Sequence, residues 1–308
     1  MLRPRCRRRL GAPRSWGGLG FSMTGIEVNR YEFESMVRQP DGEIDLAAAA
    51  LLVAREEYPS LEVGGYLRRL NEMSEEVRDR IGAERHPLTV AAGLSRYLFS
   101  ESGFCGTEEE YFDPRSSYLN DVLDRRKGIP LSLSIVYMEV ARRAGFEVQG
   151  VGLPGHFIVK HPHPGDEIFV DPFNGGAVLS AGDCAAKVRE IYGGAVTFQP
   201  FMLGAVTKRQ ILSRAIHNLK TIYLAARRHE KALIMVELLL ILAPWDLDEI
   251  RDRGMLRYHL GDLAGAVADL ETYLEYSLEA ADAETVKRNV RALRRLLRED
   301  EARIRTED

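Results

Sequence analysis

Cysteine is scarce in this chain. Cys6, Cys105 and Cys184 are far apart and odd in number, a pattern that argues against a disulfide framework and leads us to expect reduced thiols in a cytoplasm. Long apolar runs are missing as well. None approaches the ~18 residues that would suggest a membrane-spanning helix, and the longest candidate, residues 232–244, contains Glu237 and reads as a core helix. Neither sign of charge dominates: 42 Lys and Arg stand against 46 Asp and Glu, a net charge of −4. Neither nucleic acid nor an anionic membrane surface is therefore expected as a partner. Metal-ligand spacing is absent, since no further Cys, His or carboxylate cluster has ligand spacing with His161-Pro162-His163, which reads as a hairpin loop. Gly175-Gly176 is followed by no Lys-Ser/Thr and so reads as a turn, not a phosphate loop. No cofactor and no metal are expected. What the chain has in quantity is apolar side chains, 45% of 308 residues, ample for a large buried core.

Residues 1–26 hold six Arg, several Gly and Pro, and no acid. Such a stretch has no apolar face to pack and reads as a disordered basic tail or an upstream start, with Met23 as the natural beginning. Deleting residues 1–22 should leave the melting temperature unchanged within error. A drop of several degrees would mean that the arm packs.

After this tail the helical signals are dense. Residues 43–57 are rich in Ala and Leu and end before Pro59. Tyr66, Leu67, Leu70, Met73 and Val77 recur at helical spacing over residues 61–81, and a third helix follows Pro87 through Leu88, Val90, Leu94, Tyr97 and Leu98. Cys105 sits in a Gly-flanked loop with no basic neighbour to activate it, and reads as a structural or surface thiol. A fourth helix carries Asn120 and Leu123.

Residues 120–176 change character. Gly128 reads as the end of the preceding helix, and Pro130 suits the first turn of a new one because its missing N–H would be unpaired there in any case. Leu131, Ile135, Met138 and Val140 make that helix's apolar side, and Gly145 stops it. The period then switches to two. Strands are expected at Phe146 to Val151, at His156 to Val159 and at Ile168 to Asp171, one helix packed on an antiparallel meander.

Beyond Gly182 a short helix over residues 184–192 leads into a helical, self-similar region. Aligning residues 224–232 with 258–266 puts Ala232 and Ala266 in register at an offset of 34, the tetratricopeptide period. Small residues there let two helices approach closely. Two repeats are few, so a last helix from about Ala283 to Ile304 is expected to cap the stack through Val286, Val290, Leu293 and Leu297.

Three blocks, Gly128-Ile129-Pro130-Leu131-Ser132-Leu133, Gly152-Leu153-Pro154-Gly155-His156-Phe157 and Asp171-Pro172-Phe173-Asn174-Gly175-Gly176, occur in that order with Asn120, Leu123 and Arg126 before them. Together they resemble the transglutaminase-like superfamily and, within it, a bacterial SirB-type branch carrying tetratricopeptide repeats, over roughly residues 27–275. The resemblance implies an α+β fold: a papain/transglutaminase-like core of one helix on an antiparallel sheet, an N-terminal helical layer, and C-terminal α-helical tetratricopeptide repeats. It implies domains at 27–203 and 204–308. It also makes His156 the base and Asp171 its orienting carboxylate, opposite a Cys at the start of the helix. A thiolate there gains from the helix N-terminus and from an imidazolium.

The Cys is not there. Its position, counted from Gly128 or from Gly145, is Pro130. The chain is therefore expected to be a non-catalytic interaction or regulatory protein that takes a protein or peptide partner through its repeats. The alternative is an acyl-transfer or peptide-hydrolysis enzyme using Ser132, His156 and Asp171. Ser132 lies two residues past the nucleophile position, about 200° around a helix, and local capping is the competing role for its hydroxyl.

Overall fold

The computed structural model describes residues 25–163, 167–277 and 280–307, with the side chains of Ile26 and residues 300–307 left out. The basic tail lies outside the described residues except at its end, where helix α1 (Gly25–Val37) already begins. Three helices follow: α2 (Leu46–Arg55), α3 (Val63–Ile81) and α4 (Pro87–Ser95), which continues as one turn of wider π-helix to Glu101. Helix α2 starts later than its Ala-Leu composition suggests, because the Asp45 side chain accepts from the Ala48 N–H and fixes the first turn. Sequence reading passed over α1, yet Phe33 and Val37 are fully buried on its inner face.

Strand β1 (Cys105–Gly106) pairs in parallel with β2 (Lys127–Gly128), on either side of α5 (Leu119–Arg125). Gly128 therefore does not close α5. The left-handed C-cap is Arg126, at φ 56°, while Gly128 lies in the strand against the Ser132 hydroxyl, 2.6 Å from where a Cβ would stand.

Helix α6 (Pro130–Arg143) is the axis of the core. All residues from Pro130 to Ala141 are buried, as expected of a helix apolar on nearly every side. Glu139, buried within it, is paired by Arg142 at 3.0 Å and by Arg143, which also reaches Asp45 at 3.3 Å. The buried charge is thus compensated, as it must be.

Four antiparallel strands pack beside α6 in sequence order: β3 (Gln149–Val151), β4 (Ile158–His161), β5 (Ile168–Asp171) and β6 (Ala177–Leu179). The meander is as expected, with three corrections. His156 precedes β4, because Pro154 and Gly155, the latter at φ +69°, hold it in a turn. A fourth strand, β6, follows the Gly175-Gly176 turn. His161 belongs to β4 and not to a loop: it is buried, and its Nε2 meets the Tyr137 hydroxyl at 2.9 Å.

Burial pushes the His161 imidazole down from 6.5 to about 4. The unfolded chain then binds a proton that the native state refuses, so stability is lost as pH falls from about 6.5 towards 4. His161→Gln, which can still pair with Tyr137, should flatten that limb of a melting-temperature profile. An unchanged profile would place the acid sensitivity elsewhere.

Helix α7 (Ala181–Tyr192) closes the sheet and begins at Ser180, whose hydroxyl accepts from the Asp183 N–H at 3.2 Å. The repeats are α8 (Lys208–Ala225) with α9 (His229–Leu242), and α10 (Leu247–His259) with α11 (Leu263–Tyr276), capped by α12 (Ala283–Glu307). Ala232 and Ala266 are both fully buried. Lys220 is buried between α8 and α10, bonding both Glu249 oxygens and Asp252 at 2.7 Å.

Helix α8 serves two masters. It opens the repeats, and it also docks on the core through a 2.8 Å contact between the Tyr118 and Tyr223 hydroxyls. The Asp41 carboxylate takes the Lys208 and Arg209 N–H groups at its N-terminus, at 2.9 and 3.0 Å.

Candidate functional site

The site forms where three local structures meet. The first is the start of α6. Ile129 is extended and Pro130 opens the helix, its fixed φ suiting the first turn. The second is the tight turn that carries His156, closed by the His156 N–H donating to the Leu153 carbonyl at 3.2 Å. The third is the end of β5, where Asp171 caps the 3-10 turn Pro172–Asn174.

His156 Nε2 and Asp171 Oδ2 are 2.9 Å apart, and both side chains are buried. Asp171 is the better satisfied of the two. Its Oδ1 accepts from the Phe173 and Asn174 N–H groups at 3.1 and 3.3 Å; its Oδ2 also takes Asn174 Nδ2 at 2.7 Å and Lys187 Nζ at 3.2 Å. Burial alone would raise its pKa, but the His156 hydrogen bond and charge, with Asn174 and Lys187, overcome this and hold the carboxyl down at about 2. Asp171 is ionised throughout the physiological range. It can therefore orient His156 and fix which ring nitrogen faces the carboxylate.

His156 Nδ1 has no hydrogen-bond partner among the described residues. The ring packs edge-on to Phe173 at 6.1 Å and lines a small open cavity with room for about one water molecule, about 10 Å³. Pro130 lines the same cavity, with Ile129, Leu131, Gly155 and Phe157 of the core, Tyr111 of the preceding loop, and Arg214 and Asn218 of α8. The residue that replaces the expected nucleophile thus shares a wall with the imidazole.

Ser132 lies elsewhere. Its hydroxyl donates to the Ser116 carbonyl at 2.7 Å and accepts from the Ile129 N–H at 3.0 Å, and it borders a different cavity, with Tyr118 and Leu212. No hydrogen bond joins it to His156 among the described residues. The arrangement is the capping one, and Ser134 likewise bonds back to the Pro130 carbonyl at 2.7 Å. The described cysteines offer no substitute: Cys105 is exposed on β1, and burial pushes the Cys184 thiol up to about 11.

Some of the site was not foreseen. Arg214 donates to the Leu153 and His156 carbonyls at 3.2 and 2.8 Å and stacks over Phe157, clamping the His156 turn from the repeat side. No local pattern could announce this, since 58 residues separate Arg214 from His156. Lys187 was equally silent. Asn174 stood within the third sequence block, but nothing there assigned it to the carboxylate.

Comparison with known proteins agrees with this architecture. The transglutaminase-like superfamily model matches residues 65–217 and a tetratricopeptide repeat model matches residues 219–291, so the two meet within α8. The chain is similar to a UPF0162 protein of Vibrio cholerae, 33% identical over 199 residues, covering 64% of this chain and 73% of the relative. It is also similar to human F-box only protein 21, 27% identical over 138 residues, or 42% of this chain and 21% of the relative. Similarity to a UPF0162 protein of Xylella fastidiosa (strain 9a5c) reaches 38% identity over 247 residues, 79% of this chain and 88% of the relative. With that identity sustained over most of both chains, this chain belongs to the UPF0162 family.

Proposed function

We propose that this chain is a non-catalytic protein-interaction or regulatory protein of the SirB-type branch. A transglutaminase-like domain keeps the His156–Asp171 pair without a nucleophile, and the helical repeats engage a protein or peptide partner. The observation that carries this reading is Pro130, which lines the His156 cavity at the head of α6, where the superfamily's chemistry requires a thiol. A pyrrolidine ring can neither attack an acyl carbon nor give up a proton. The repeats favour partner binding because stacked helix pairs present an extended surface. Trp245 and Tyr276 are more than half exposed there. We place the protein in the cytoplasm, where its free thiols Cys105 and Cys184 would stay reduced.

The alternative, acyl transfer or peptide hydrolysis through Ser132, His156 and Asp171, would need the Ser132 hydroxyl released from Ser116 and turned to another wall of the core. Its hydrogen bonds to the Ile129 N–H at 3.0 Å and the Ser116 carbonyl at 2.7 Å speak against this. The intact chain should show no turnover of amide or ester substrates and no labelling by serine- or cysteine-directed acyl probes. Labelling of Ser132 that His156→Ala abolishes would replace this reading with the enzymatic one.

A further inference from the structure

The cavity at His156 is bordered by an arginine whose charge the described residues leave without a counterion. Arg214 contributes a guanidinium with no carboxylate in ion-pair range among the described residues; its only hydrogen bonds go to the Leu153 and His156 carbonyls. Two of its five N–H donors are engaged in this way, which leaves three. Desolvation makes its charge harder to hold, in the direction of a lowered pKa. A partly buried charge without a counterion is unfavourable, and proteins normally pair it. Elsewhere in this fold they do: Arg143, Lys220 and Arg253 each meet an acid.

Two further features of the cavity point the same way, beside a His156 ring that is 6% exposed with its Nδ1 unpartnered. Asn218, a turn further along α8, makes no hydrogen bond among the described residues and borders the same space. The N-terminus of α6 opens onto it at Pro130 and Leu131, and first-turn N–H groups with the helix dipole favour an anion. Among the described residues no Asp or Glu lines the cavity.

We infer that this cavity is a carboxylate-binding site, with Arg214 as the anchoring charge, Asn218 as a flanking donor, His156 as the ring that borders the bound group, and an acidic group on a partner polypeptide as its occupant. Size selects the occupant. The cleft itself has room for about one water molecule, about 10 Å³, far below the ~300 Å³ at which small-molecule and cofactor sites begin; it admits a carboxylate oxygen presented on a chain that lies outside, not a whole small molecule. Geometry adds specificity, because a guanidinium receives a carboxylate through paired N–H donors. The assignment rests on the reading of this cleft as a binding site and not a reaction site, and it joins the repeats to that cleft, since Arg214 and Asn218 both stand on α8.

The test is a titration of the full chain followed by the ¹H–¹⁵N signals of the His156 ring. The probes are a blocked alanine peptide with one central glutamate, its glutamine counterpart, an alanine peptide with a free C-terminal carboxylate, and sodium acetate. One or both carboxylate peptides should shift the His156 signals saturably while the glutamine peptide does not, the preferred one reporting whether a side chain or a chain end is taken. Arg214→Gln should weaken that binding about tenfold, the loss of one charge-assisted hydrogen bond. Because Arg214 also clamps the His156 turn, Asn218→Leu provides an independent check, with several-fold weakening and an unchanged melting temperature. Equal response to the glutamate and glutamine peptides, or unchanged affinity in both variants, would overturn the assignment. Saturation by acetate with no response to either carboxylate peptide would overturn the partner polypeptide in favour of a free small anion. Turnover of an ester or amide substrate is a separate result, and it would overturn the non-catalytic reading whatever the peptides do.

Discussion

Asp171→Ala should destabilise the protein by about 3–5 kcal/mol, the range for removing one partner from a buried, hydrogen-bonded charge pair. The effect is large because the lost carboxylate serves several donors at once. Deleting it strands the Phe173 and Asn174 N–H groups, the Asn174 amide, His156 Nε2 and Lys187 Nζ around an empty space at the end of β5. Asp171→Asn keeps one acceptor oxygen and should fall between the two.

His156→Ala should be milder, since the remaining donors still satisfy Asp171. Because the two side chains are 2.9 Å apart, a double-mutant cycle in urea should give a coupling of about 0.5–3 kcal/mol. The pH dependence has a fixed sign. A carboxyl held at about 2 in the fold and near 3.9 in the unfolded chain stabilises above the unfolded value and loses that contribution as pH falls through the folded one. The wild-type acid limb between those values should therefore be steeper than that of Asp171→Asn. A cost below about 1 kcal/mol for Asp171→Ala, the net worth of one ordinary hydrogen bond, would show that the carboxylate does not hold this turn together.

The readable parts of the molecule are those whose reasons are local. Pro130 and Gly145 bracket α6 because helix starts and stops are matters of φ and of missing N–H groups. The offset of 34 survives because each repeat must place a small residue, Ala232 or Ala266, at the same close approach. The placement of His156 and Ser132 depended on something less local. Alternation suggested that His156 was already in a strand, but Pro154 and the left-handed Gly155 keep it in the turn before β4, where Arg214 can grip its carbonyl. Ser132 could be placed on the helix but not in the fold, since its partner, the Ser116 carbonyl, belongs to a turn before α5. Lys187, Arg214 and Asn218 reach the site from α7 and α8, across separations that no periodicity spans.

Pro130→Cys should create a thiol of depressed pKa, and this is the sharpest available test of what Pro130 replaces. The residue opens α6, where first-turn N–H groups have no intrahelical acceptors and the dipole favours negative charge. It shares a cavity with His156, whose Nδ1 is unpartnered and whose Nε2 is held by an ionised Asp171. Both surroundings stabilise a thiolate over a thiol. A free cysteine near 8.5 is about 3% ionised at pH 7, and one brought down to about 7 is half ionised, a roughly fifteenfold gain in thiolate, part of which is offset by the lower nucleophilicity of a less basic sulfur. Iodoacetamide labelling against pH would read this, in a chain with Cys6 and Cys105 replaced by Ser and Cys184 by Ala. Adding His156→Ala separates the two causes: the pKa should climb most of the way back, and a value that stays low would assign the effect to the helix terminus alone. A thiol titrating at or above the free value of about 8.5 would show that position 130 does not face His156 as a nucleophile would, and the argument that Pro130 disarms an inherited site would fall with it.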